Sequence, residues 1–263
     1  MPDRFVPFTL VYYALPLRVL AVIEELDAPN EFFFDSETNE LYLWYNTSSS
    51  SSSSSLFPGP GVEVVVPTLD TLIELRGSQV SPVRNVSLVG LTFTQNRPTF
   101  FEPRGNPSGG DWAMERLGAV LAEGVEGLRL EANTFTKLDT HAVFLSGYSR
   151  NATIERNLFY SLGASAVASW GKPDDVDGTN GDQPRFTKLR GNWAHDLGFI
   201  QKQSSLYFQA ESCQAEISEN ICFNIPRCVN TQHCATVCYC FQSTTRLVVV
   251  LPNLHLVTVS NWG

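Results

Sequence analysis

A unit of two dozen residues is written twice in the middle of this chain, and that repeat limits the folds open to it. Residues 128–147 read LRLEANTFTKLDTHAVFLSG and residues 152–171 read ATIERNLFYSLGASAVASWG. Asn133 falls on Asn157, a spacing of 157 − 133 = 24, with Phe135 on Phe159, Leu138 on Leu162 and Gly147 on Gly171. Fainter copies stand at Leu88–Phe93, Leu189–Asn192 and Ile217–Asn220. A period of about 20 to 50 residues marks a repeat architecture. This unit is shorter than a strand–helix–strand crossover, which needs about 30 residues. Apolar and polar residues alternate, as at Leu128/Leu130 and Val143/Leu145, which is the period of a strand. Glycines interrupt the runs at Gly147, Gly163, Gly171 and Gly191. Each unit therefore holds about three short strands, and strands stacked on their own copies run parallel. The expected fold is all-β, a parallel β-helix (solenoid) preceded by a hairpin. The recurring Asn is expected to take left-handed backbone geometry and to bond its own chain at a corner. The recurring Phe is expected to point inward and stack from coil to coil.

The phrases GLTF, GGDWA, EGVEGLRLEANTFTKLD, AVFLSGYSRNATIERN, GTNGDQPR and QKQSSLYFQA, in this order across residues 24–227, resemble the right-handed parallel β-helix proteins of the pectate-lyase-like superfamily. The resemblance implies a right-handed β-helix repeat domain, and most characterised members of that superfamily act on polysaccharides as lyases, hydrolases or epimerases. No catalytic pair of that superfamily maps onto this chain residue by residue.

Organisation follows from composition shifts. Residues 1–30 form an N-terminal segment. Its apolar run 5–23 is broken by Pro7, Pro16 and Arg18, which argues against a membrane span, and it lacks a clear signal peptide. Residues 31–47 read as a β-hairpin, EFFFD and ELYLWY flanking Ser36–Asn39. Residues 48–61 hold an eight-serine run, Ser48 to Ser55, and read as a disordered loop. Residues 62–227 carry the β-helix. Residues 228–263 lack the Asn corner and nearly all charge, and they read as a tail of the kind a translated intron gives. All six cysteines lie between Cys213 and Cys240. Their spacing with His233 matches no zinc pattern, so no metal site is expected there.

The net charge of −9 argues against a nucleic-acid partner. Sequons at Asn46, Asn85 and Asn151 suit an extracellular or secretory-pathway protein. Two insertions, residues 97–116 and 171–185, are long enough to carry function. Alternation places Glu123, Ser146, Trp170 and Gln209 on one outer face. Tyr207 also points outward, Leu206 and Phe208 point inward, and Asp139, His141 and Lys202 stand at the bends leading onto the face. The insertions add Asp111, Trp112, Asp177 and Asp182. Carboxylates, amides and exposed aromatic rings compose a glycan groove. Glycoside hydrolysis needs two carboxyl groups about 5–9.5 Å apart, and residues one or two coils apart span that range. The catalytic candidates are Asp139, Glu123, Asp182 and His141; the substrate-binding candidates are Trp170, Tyr207, Gln209, Lys202, Asp111 and Trp112. A lyase would instead use His141, Tyr207 or Lys202 as base and cation. Asp174, Asp175, Asp177 and Asp182 resemble part of a calcium loop but lack its late Glu, so no cofactor is expected and calcium is the one ion the loop suits. The expected function is that of a monomeric, carbohydrate-active protein close to a polysaccharide glycoside hydrolase. The alternatives are a non-catalytic module binding glycan or protein, a polysaccharide lyase, and a structural solenoid or non-functional gene fragment.

Overall fold

The computed structural model describes residues 23–27, 31–35, 37–38, 40–44, 65–97, 99, 115–172, 177–227, 230–233, 246–249 and 257–259. The serine run, Asp111, Trp112, Asp174 and Asp175 lie outside the described residues. The chain divides into two units, Met1–Thr68 and Leu69–Gly263. In the first, β1 (Phe32–Asp35) and β2 (Glu40–Leu43) pair antiparallel, with Phe33 opposite Tyr42. The Asp35 carboxylate accepts the Glu37 backbone N–H at 2.8 Å and so closes the turn between them.

The second unit winds through successive coils. The first holds β3 (Ile73–Arg76), β4 (Val83–Arg84), β5 (Ser87–Val89) and β6 (Thr92–Thr94). The second holds β7 (Gly118–Glu126), β8 (Arg129–Glu131) and β9 (Thr134–Leu138). The third holds β10 (His141–Arg150), β11 (Thr153–Glu155) and β12 (Leu158–Leu162). The fourth holds β13 (Val167–Trp170), β14 (Pro184–Arg185), β15 (Lys188–Arg190) and β16 (Trp193–Leu197). The fifth holds β17 (Tyr207–Ala210) and β18 (Glu216–Phe223). Each strand pairs parallel with its counterpart in the next coil, in the order β3-β7-β10-β13-β17 along one sheet and β5-β8-β11-β15-β18 along the other. Parallel pairing continues beyond Arg227, where β19 (Asn230–His233) adds to β17 and β20 (Arg246–Val249) adds to β18. The last strand, β21 (Val257–Val259), runs antiparallel to β20.

The repeat unit is one coil, as its period implies. Phe135 sits in register with Phe159, and its ring stacks on Phe93 at 4.7 Å and on Phe159 at 4.9 Å. Such pairs each add about 1 kcal/mol beyond the area they bury. The column ends where Ala194 and Cys222 take the Phe position. Burial pushes the Cys222 thiol up to about 11, so it packs as an inert apolar group.

The corner asparagines act differently from the expectation. Asn133, Asn157, Asn192 and Asn220 are buried, and the left-handed residue is the one before each: Ala132, Arg156, Gly191 and Glu219. Each Asn instead bonds across coils. The Asn157 Oδ1 accepts the backbone N–H of Asn133 at 2.9 Å, and the Asn157 Nδ2 donates to Leu130 O at 3.0 Å. Asn192 does the same for Asn157, and Asn220 for Asn192. The amide is required because only Asn supplies an acceptor and a donor at that reach.

One facing assignment fails. Strand β17 starts at Tyr207, so Tyr207 pairs with Val167, and Phe208 with Ala168. Tyr207 therefore lies in the inner core with Val143 and Val167, fully buried, while Phe208 joins Leu121, Phe144 and Ala168 on the outer side. Gln209 falls on the inward phase beside Ser169, and its Nε2 donates to Ser212 O at 2.8 Å. Leu206, the last residue of the bend, lies inward as expected, but counting the strand from it shifts the alternation by one and reverses the faces of Tyr207, Phe208 and Gln209.

Candidate functional site

The site is built midway along β7 and β10 and at the C-terminal ends of β3, β13 and β17. The ladder sets Arg76, Glu123, Ser146, Trp170 and Ala210 side by side on the outer face. After Glu123 and Ser146 the register shifts, so that Gly124 faces Gly147–Tyr148. Both glycines have positive φ, +66 for Gly124 and +53 for Gly147. A Cβ on Gly124 would collide with the Gly77 backbone, and one on Gly147 would lie 2.9 Å from the Asp182 Oδ1. This bulge interrupts the ladder, which resumes at Val125 and Ser149, and leaves room for the Asp182 carboxylate beside Gly147.

Charged groups converge there. Lys172 Nζ meets Glu123 Oε2 at 2.7 Å. Burial pushes the Glu123 carboxyl up, but hydrogen bonds from Lys172 and Ser146 and the charges of Lys172 and Arg76 outweigh it. The net shift is below the ordinary glutamate value, so Glu123 is held ionised. Arg116, just ahead of β7, stands over the Trp170 ring at 4.2 Å. Its guanidinium donates to Ser146 Oγ at 3.4 Å, to Trp170 O at 3.2 Å and to Gly171 O at 2.5 Å. Burial lowers its pKa, opposed by Glu211, Glu123 and Asp182. It stays charged, because a guanidinium keeps its proton across the working pH range. The Trp170 Nε1–H donates to Glu211 Oε2 at 3.1 Å. Burial raises the Glu211 carboxyl above the ordinary range, against the partial opposition of the Trp170 bond and the Arg116 charge. Two carboxyl groups on one face are thus pushed in opposite directions, Glu123 toward the ionised form and Glu211 toward the neutral acid.

The expected site residues separate into two groups. Glu123, Asp182 and Trp170 come together as described. His141 stands at the other end of the sheet, five residues from Ser146 along β10, or about 16 Å, and Asp139 lies just before that strand. Both are buried, at 8% and 2% exposure. The Asp139 N–H donates to Asn96 Oδ1 at 2.9 Å, and the His141 Nδ1 accepts the Ser165 N–H at 3.2 Å. The Ser165 Oγ in turn accepts the Ser205 N–H at 3.0 Å. This corner ties one coil to the next. Lys202 is exposed in the turn before β17. Tyr207 and Gln209 face the interior, and burial raises the Tyr207 phenol. The Asp177 carboxylate accepts the Thr179 N–H at 2.9 Å in an exposed turn. Among the described residues, no group of three or more His, Cys, Asp and Glu stands close enough to hold a metal ion.

Sequence reasoning missed Arg116, Lys172 and Glu211. The signal for Glu211 was present: aligning Phe208 with Phe144 puts Ala210 beside Trp170 and Glu211 next in line. Arg116 and Lys172 lie outside the repeat, where period gives no position.

No family model matches the chain, and no curated protein matches it. Among solved structures it is similar to one described as "Glycoside hydrolase", with a TM-score of 0.55 and 14% identity. The match covers 77% of this chain and 38% of the hydrolase, so the chain spans well under half of that protein's length. The likeness is one of fold, and this protein is an all-β parallel β-helix.

Proposed function

We propose that this chain is a carbohydrate-active β-helix of the pectate-lyase-like kind, and that it hydrolyses a polysaccharide on the outer face between Glu123 and Glu211. The observation that carries the reading is two carboxyl groups on one face in opposite settings, Glu123 ion-paired with Lys172 and Glu211 half-buried on the Trp170 indole N–H, which favour the ionised and the neutral form respectively, as acid and base roles are divided in glycoside hydrolysis. Glu211 gives its proton to the glycosidic oxygen as the C–O bond breaks. Glu123 takes a proton from the water whose oxygen forms the new bond to the anomeric carbon. Solvent then returns a proton to Glu211 and removes one from Glu123. Glu123 and Ala210 stand three strand steps apart, about 14 Å across the sheet. The fold shared with a glycoside hydrolase supports the same class. The lyase alternative is weakened because two of its candidate groups, His141 and Tyr207, are buried away from this face. Exposed sequons at Asn85 and Asn151 support an extracellular setting.

A second reading is a glycan-binding module without turnover. It is favoured by one observation, that Lys172 already occupies Glu123 and Arg116 already covers one face of Trp170. Release of reducing ends from a polysaccharide panel separates the two. The hydrolase reading expects release by the wild type and a loss of about 10²–10⁴ in rate for Glu211→Gln and for Glu123→Gln. Retained glycan binding with no release by the wild type would establish the module, and an unsaturated product would establish the lyase.

A further inference from the structure

We propose that Trp170 and Arg116 are positioning residues that hold the Glu211 carboxyl on the outer face, and that the Trp170 ring is not a surface on which sugar stacks. The inference rests on the hydrolase reading for the role of Glu211, but its geometry stands independently. An exposed tryptophan beside carboxylates invites assignment as a sugar platform. Here the ring is already engaged on three sides. Arg116 covers one face at 4.2 Å, Phe208 meets it edge-on with centroids 6.0 Å apart, and the indole N–H is spent on Glu211 at 3.1 Å. The guanidinium is fixed in turn by Ser146 Oγ, Trp170 O and Gly171 O, so it is a built clamp. Gly171 completes the arrangement. Its backbone N–H donates to Ala210 O at 3.1 Å, and a Cβ there would stand 3.2 Å from the Glu211 Cβ and collide with its carbonyl oxygen. Glu211 is thereby brought against the strand end that carries Trp170.

The chemistry follows from the hydrogen bond. An indole N–H donates only, so it stabilises the carboxylate over the neutral acid. A cation over the ring face draws electron density from the ring and strengthens that donor. Burial pulls Glu211 the other way, and the two effects together set where it releases its proton. The groups that act on Glu211 are the Trp170 indole N–H and the Arg116 guanidinium, and Arg116 in turn feels Glu123 and Asp182. Of these, the indole N–H is the direct bond to the carboxyl oxygen.

The test is carboxyl-carbon NMR titration of Glu211 in wild type, Trp170→Phe and Trp193→Phe. Trp193 is 52% exposed on the other sheet and serves as the control. Trp170→Phe keeps an aromatic ring under Arg116 and removes the N–H together with part of the ring area. The expected result is a Glu211 midpoint raised by about half a pH unit or more in Trp170→Phe and unmoved in Trp193→Phe. An unmoved Glu211 in folded Trp170→Phe overturns the proposal. A measurement on the wild type needs no variant: the Trp170 indole N–H resonance should shift with the same midpoint as Glu211, and an indole resonance indifferent to pH also overturns it. Where a substrate is cleaved, Trp170→Phe is expected to lower kcat about tenfold with KM within about twofold. A raised KM with unchanged kcat would make the ring a sugar platform after all. Failure to cleave any polysaccharide would sink the hydrolase reading and leave both titrations intact.

Discussion

Glu211 and Glu123 stand on the same face and answer to different neighbours. Glu123 is ion-paired with Lys172, and Glu211 has the indole N–H and a distant guanidinium against stronger burial. Their folded-state shifts have opposite consequences for stability. The Glu123 pKa is depressed, so its contribution is present above the unfolded value and is lost as pH falls through the folded one. The Glu211 pKa is raised, so its contribution is present below the unfolded value, about 4.3, and is lost as pH rises through the folded one. At neutral pH Glu211 therefore costs stability that a neutral amide would not. Glu211→Gln should gain on the wild type in Tm between pH 4 and pH 7, as followed by calorimetry at both. A Tm difference that is constant with pH would contradict the raised titration. Under the proposed hydrolysis the rate should peak between the two pKa values, because Glu123 must be ionised while Glu211 holds its proton.

The asparagine corner shows how one element binds to the next, and how much of it the sequence reveals. The Asn157 amide accepts from Asn133 and donates to Leu130 O, all buried. Asn157→Ala leaves a buried N–H and a buried C=O without partners, each costing about 1–3 kcal/mol. Chemical denaturation should show a loss of about 3 kcal/mol for Asn157→Ala and no more than about 0.5 kcal/mol for Lys188→Ala, which is exposed on the same sheet. Equal losses would mean that the ladder carries no stability. The position of these asparagines was legible because the spacing of Asn133 and Asn157 is the coil itself. Their role was not, because a side chain that bonds the coil above looks in sequence like one that bonds its own turn. The facing of β10 and β13 was likewise legible from the alternation of Val143, Leu145 and Val167. The facing of β17 was misread because Leu206, Tyr207 and Phe208 are all large and apolar, and alternation among three apolar residues has two solutions. Trp170 and Glu123 were readable as outward residues. Arg116, Lys172 and Asp182 come from segments between coils, and only the coordinates show that Asp182 folds over Gly147.

At the scale of the whole molecule, a residue's neighbours are set by coil number as much as by sequence distance. Glu123, Trp170 and Glu211 are drawn from three different coils, and they meet only because β7, β10, β13 and β17 stack in one register. A slip of one residue in any strand would send one of them into the core. The aromatic column reports that register directly. Nuclear Overhauser contacts between ring protons should join Phe135 to both Phe93 and Phe159, whose rings lie 4.7 and 4.9 Å from it, while Phe93 and Phe159 show none to each other. That pattern is the predicted result. A Phe135 ring without contact to Phe159 would contradict the stacking of coils and, with it, the assembly of the carboxyl pair.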